Sequence, residues 1–233
     1  MKTRKIERKV PLDVLAMSLA MVLLVLFAVV GVVNMANAQG IADSAHDFSA
    51  LTSWNTAGEI CNVCHTPHAA DTTVADAPLW DHELTTHDPY GLYGSTTLDA
   101  TMTQPDGLSK LCLSCHDGTV AVDNFGGTTT GTVNISSFGT NSSRLIGTDL
   151  GDDHPVGFIF NATLASTDGE LFNPAVDTTD LGGTIENDLL FGATGSARLE
   201  CASCHDVHDT AGNTSLLRID NAVSNLCLTC HDK

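Results

Sequence analysis

The chain has 233 residues, with 28 acidic against 10 basic side chains, a net charge of −18, eight cysteines, ten histidines and only 5% aromatics. That length suits one compact domain or two small ones, and 42% hydrophobic residues at a mean hydropathy of +0.08 exclude a disordered chain. So acidic a chain lacks the clustered Lys and Arg that displace counterions from phosphates, which excludes nucleic acid as a partner.

In chain order, residues 1–38 read as an export signal peptide. Lys2, Arg4, Lys5, Arg8 and Lys9 form a cationic start, an apolar run follows from Val14 to Val33, and Ala36, Asn37 and Ala38 supply a small-residue cleavage pattern. The run is long enough to span a bilayer, so an uncleaved membrane anchor is the alternative. Either way the remainder is exported, to the periplasm or to the cell surface and the extracellular space. The leader holds five of the basic and two of the acidic residues, which leaves residues 39–233 with 5 basic against 26 acidic and a net charge of −21. Such a charge steers the protein toward positive surfaces. A single methionine, Met102, lies beyond the leader.

All eight cysteines fall into C-x-x-C pairs, each followed at once by histidine: Cys61/Cys64/His65, Cys112/Cys115/His116, Cys201/Cys204/His205 and Cys227/Cys230/His231. C-x-x-C-H is the attachment sequence for c-type haem: two thiols add to the vinyl groups of one porphyrin, and the next residue brings an imidazole under the iron. Zinc would use paired C-x-x-C ligands, and an exported cysteine-rich chain would use disulfides. Neither requires a histidine after every pair. A thioredoxin-like motif occurs once, near a βαβ pattern. Four covalent haem c groups are therefore expected, with His65, His116, His205 and His231 as proximal ligands. About 49 residues per haem would make porphyrin the core and account for the scarce aromatics.

An internal repeat supplies candidates for the other axial position. The first and third motifs share C-x-x-C-H-x-x-H, ending at His68 and His208, while Ser109–Asp117 and Ser224–Asp232 agree at seven of nine positions. A histidine also precedes each half, His46 and His154. Two dihaem units follow, 39–125 and 151–233, sharing a template of four histidines for two irons and joined by a Gly/Thr/Ser-rich linker or hairpin over 126–150. The expected distal ligands are His46, His68, His154 and His208. His68 and His208 sit too close to their own proximal histidine to reach over the same porphyrin, so each would reach the neighbouring haem. His82 and His87 have no counterpart in the second half. The alternatives for them are surface or propionate contacts, or His82 taking one distal place. Met102 is a weaker ligand candidate.

The remaining fold is expected to be mostly irregular around the haem core, with short helices at the C-x-x-C-H motifs and a few short strands, one of them at 158–164. Trp54, Trp80, Tyr90 and Tyr93 are expected on porphyrin faces, and Asp149, Asp152 and Asp153 in a solvated acidic turn.

Together the leader, His46-Asp47-Phe48, Cys61–His68, Pro78-Leu79-Trp80, Cys112–Gly118, His154-Pro155-Val156 and Cys201–His208 resemble the multihaem c-type cytochromes with doubled haem motifs. The chain is most similar to the tetrahaem, filament-forming extracellular cytochromes of metal-reducing bacteria, the OmcE type. That resemblance implies bis-histidine haems stacked in a continuous chain, a homopolymer, and a distal histidine donated by the adjacent protomer, with His46 as the donor. It implies no enzyme and no small-molecule substrate at iron, but electron transfer to redox-partner cytochromes or an extracellular electron acceptor. A monomeric periplasmic electron shuttle is the alternative. A reductase subunit acting on a small oxyanion is another, and needs one iron with an open position.

Overall fold

A computed structural model describes residues 40–77, 79–138 and 144–232; the leader and its possible anchor lie outside the described residues. Gly40–Lys233 forms one unit, and regular structure within it is sparse. In chain order the elements are α1 (Leu108–His116), β1 (Phe158–Ile159), α2 (Ala162–Asp168), α3 (Ile185–Leu189), β2 (Arg198–Leu199), α4 (Cys201–Cys204) and α5 (Asn225–Cys230), with 3-10 turns at Ile135–Phe138, Thr214–Leu216 and Ala222–Ser224. β1 and β2 pair antiparallel, Phe158 opposite Leu199 and Ile159 opposite Arg198. Among the described residues no helix is long and apolar enough to cross a membrane.

Local chemistry sets these boundaries. α1 ends at Asp117, and Gly118 follows at φ +77°, the left-handed conformation that stops helices at little cost in glycine. The strand expected over 158–164 is cut to two residues because Asn161 caps a helix. Its side chain accepts from the Thr163 and Leu164 amides, both at 3.0 Å, and Gly169 closes α2 at φ +76°. Three of the four C-x-x-C-H motifs lie on helices. The first is a single hydrogen-bonded turn over Cys61–His65.

Among the described residues, apolar burial is divided among three clusters. The largest joins Phe158, Phe160, Ala165, Ile185, Leu190, Ala197 and Leu199. Val74, Trp80 and Leu111 form the second, and Tyr90, Leu113 and Leu150 the third. Trp80 and Tyr90 thus pack against aliphatic side chains, while Trp54 meets Phe48, Phe125 and Phe138 in an aromatic group. Met102 packs against the largest cluster, which accounts for it without a metal. The 126–150 segment folds back on the preceding residues: Val122 N–H donates to the Val133 carbonyl at 2.8 Å, and the Asp123 carboxylate accepts from the Thr132 and Val133 amides. Residues 139–143 lie outside the described part.

Candidate haem-attachment sites

Each motif closes one turn of helix. The histidine N–H donates to the carbonyl of the first cysteine, His65 to Cys61 at 2.9 Å, His205 to Cys201 at 3.1 Å and His231 to Cys227 at 3.0 Å, and Cys112–His116 lies within α1. Positions i, i+3 and i+4 of a helical turn share a face, so both sulfurs and the imidazole point the same way. That is the arrangement one porphyrin edge and its iron require.

Around the first and third motifs the backbone is the same. Thr66 N–H donates to Leu79 and Asp206 N–H to Leu216, at 2.8 and 2.7 Å; Asp81 N–H returns to Cys64 and Arg218 N–H to Cys204, both at 2.9 Å. Bridges pair His65 with Trp80 and His205 with Leu217. Even the strained positions correspond. Leu79 and Leu216 take φ +53° and +59°, and the residues after His68 and His208, Ala69 and Asp209, take φ +59° and +53°. Left-handed conformations in side-chain-bearing residues cost free energy and persist where the surroundings enforce them.

The imidazoles are arranged in pairs. His46 stands with its ring centre 6.1 Å from that of His116, His65 lies 6.2 Å from His208 with the rings within 13° of parallel, and His154 lies 6.3 Å from His231. Two imidazoles bound to one metal at about 2.0 Å each, with roughly 1.1 Å from nitrogen to ring centre, hold their centres about 6.2 Å apart. Each pair joins a proximal histidine to one of the sequence-derived distal candidates. His46 meets His116 of its own chain. His68 and His205 are both exposed, and among the described residues neither forms such a ring pair.

Hydrogen bonds leave a coordinating nitrogen available. Nδ1 of His116 lies 2.6 Å from the Arg144 carbonyl, that of His205 2.9 Å from the Ser215 carbonyl and that of His154 3.1 Å from the Pro155 carbonyl. A carbonyl only accepts, so Nδ1 carries the proton and Nε2 keeps its lone pair for a metal. His46 Nδ1 is buried with no hydrogen-bond partner among the described residues. Burial, followed by the nearby His116, His205 and His208, lowers the His46 pKa to about 4, and burial lowers that of His231 as well, so both favour the neutral form that binds iron.

Burial pushes the Cys64 thiol up to about 11 and Cys230 to about 12, and raises Cys115 as well, while the neighbouring Cys112 lowers Cys201. Among the described residues no group of three or more His, Cys, Asp or Glu side chains converges to hold a metal ion.

His82 is 2% exposed, with Nδ1 2.8 Å from the Glu83 carbonyl and Nε2 3.1 Å from the Ala121 carbonyl and 3.4 Å from Cys115 Sγ; a neutral imidazole donates to one of the two carbonyls. His87 packs edge-on against Tyr90, 4.8 Å between ring centres, beside a polar groove of about 710 Å³. Sequence reasoning missed the supporting groups: the Arg144 and Ser215 carbonyls, which no side-chain pattern announces, and buried Asp117. Asp117 accepts from Tyr90 Oη at 2.6 Å, Thr85 Oγ1 at 2.7 Å and the Thr119 amide at 2.7 Å, fixing the backbone beside His116. The Asp that follows His in both the second and fourth motifs was a usable signal for it.

Residues 194–233, which hold the third and fourth motifs, match the family model described as "Doubled CXXCH motif". No curated protein matches the chain. The match supports a multihaem c-type cytochrome, with haem c bound covalently through these cysteines and electron transfer as its work.

Proposed function

We propose that the chain is a tetrahaem c-type cytochrome and not an enzyme, exported to the periplasm or cell surface, that carries electrons between redox-partner cytochromes or to an extracellular acceptor. The observation that carries this reading is the set of three imidazole pairs at 6.1–6.3 Å, each joining a C-x-x-C-H histidine to a second histidine of the same chain. Bound haem supplies reversible one-electron chemistry at iron. The polypeptide supplies two neutral imidazoles per iron, aims them with backbone carbonyls and surrounds them with negative charge, three features that favour the oxidised state.

The repeated backbone supports a fourth pair: His208 of the third motif stands against His65 of the first, and by that correspondence we assign His68 to His205. This exchange would clamp the first and third sites together, leaving no iron position for a small-molecule substrate. The same correspondence supports two duplicated dihaem units around a haem core. A stacked homopolymer rests on the family resemblance alone.

Intact mass of the protein from an expressing, haem-loading host tests the reading. The mass should exceed that of the polypeptide by four haems, and digestion should leave one haem on each C-x-x-C-H peptide. Fewer than four additions, or haem extracted by acidified organic solvent, contradicts it.

A further inference from the structure

Between the second and third motifs lies a buried carboxylate that the ligand reading does not use. Glu200 immediately precedes Cys201, is 2% exposed and occupies the N-cap position of α4. Its own amide donates to Ser203 Oγ at 2.9 Å. Its side chain reaches 91 residues back along the chain. Oε2 accepts from the Ser109 amide at 3.0 Å and, at short range, from Ser109 Oγ, which in turn accepts from the Cys201 amide at 3.0 Å.

Ser109 is the second residue of α1, so its amide is one of the donors a helix start leaves without an internal partner. Gly107, the N-cap of α1, has no side chain to satisfy it. A Cβ there would collide with the Glu200 carboxylate. The glycine therefore makes room for a cap delivered from the other haem helix, and Ser109 itself is fully buried. The Cys112 and Cys201 thiols interact across the same contact. One carboxylate thus ties the helix that carries Cys112 and Cys115 to the helix that carries Cys201 and Cys204.

We propose that Glu200 is the positioning residue that locks the second and third haem-attachment helices together and places one buried negative charge at their contact. This rests on the tetrahaem reading. A charge held in a desolvated contact acts most strongly on its nearest neighbours, so it depresses the potentials of the second and third sites more than those of the first and fourth.

Two variants with opposite expected signs test it. Glu200→Gln removes the charge and keeps the size: four haems stay attached, amide exchange at residues 107–112 quickens, and two of the four midpoint potentials rise clearly more than the other two. Ser109→Ala keeps the charge and removes a donor that neutralises it, so the same two potentials fall. If Glu200→Gln does not load haem, the Ser109→Ala titration decides alone. Four unmoved potentials, four potentials moving together, or both variants shifting in the same direction would each overturn the proposal. A wild-type protein with fewer than four haems by mass would instead defeat the reading beneath it, before any variant is compared.

Discussion

Replacing His208 with alanine should turn one haem in four from low-spin six-coordinate to high-spin five-coordinate, without loss of any covalent attachment. The His208 ring stands 6.2 Å from that of His65, nearly parallel to it, so the substitution removes the second imidazole of the first site. The side chain is exposed, and its one ion-pair contact, Nδ1 to Asp206 at 3.7 Å, is of the surface kind that contributes little to stability. The variant should therefore fold and load haem normally. About a quarter of the haem absorbance should take on high-spin character and bind carbon monoxide. His87→Ala should leave every haem low-spin, because that ring packs on Tyr90. A fully low-spin His208→Ala protein would remove His208 from the ligand set.

Phe160→Ala should cause the largest loss of stability of any core substitution considered. Phe160 is 1% exposed and sits among Phe158, Ala165, Ile185, Leu190, Ala197 and Leu199 in the largest apolar cluster. Removing a buried phenyl ring costs about 3–5 kcal/mol in lost transfer and cavity terms, a large part of the roughly 5–15 kcal/mol that holds a domain folded. With a urea slope of about 2 kcal/mol per molar, the denaturation midpoint should fall by roughly 1.5–2.5 M. Val176→Ala, at a position 64% exposed, should change stability by no more than about 0.5 kcal/mol. The cluster also packs against Cys230, so Phe160→Ala should loosen the fourth attachment site before the first.

How much of this was legible beforehand depended on whether the chemistry repeats. The four C-x-x-C-H motifs announce themselves because a porphyrin needs two sulfurs and an imidazole on one helical face. His68 and His208 emerge from the shared C-x-x-C-H-x-x-H, and His46 and His154 from their matching places ahead of each half. Features present once were silent. Glu200 has no counterpart before Cys61, where Ile60 stands, so no repeat marks it. The carbonyls of Arg144 and Ser215 are backbone atoms, identical in every residue, and only the path of the chain selects them. His82 was ambiguous for a different reason: burial against the Glu83 and Ala121 carbonyls is a tertiary property that sequence spacing does not encode. The strand expected over 158–164 forms only at Phe158–Ile159, because Asn161 caps the helix that follows. His46 is given to a neighbouring protomer by resemblance, while within its own chain its ring stands beside that of His116.

Carbon monoxide added to the fully reduced wild-type protein tests the central claim most directly, because it binds at once where an iron lacks its second protein ligand and elsewhere only as fast as a histidine dissociates. Paired imidazoles at every site predict a visible spectrum essentially unchanged by the gas. Rapid conversion of a quarter or more of the haem to the carbonyl form would contradict complete bis-histidine ligation and favour a chain that presents an open iron to a substrate.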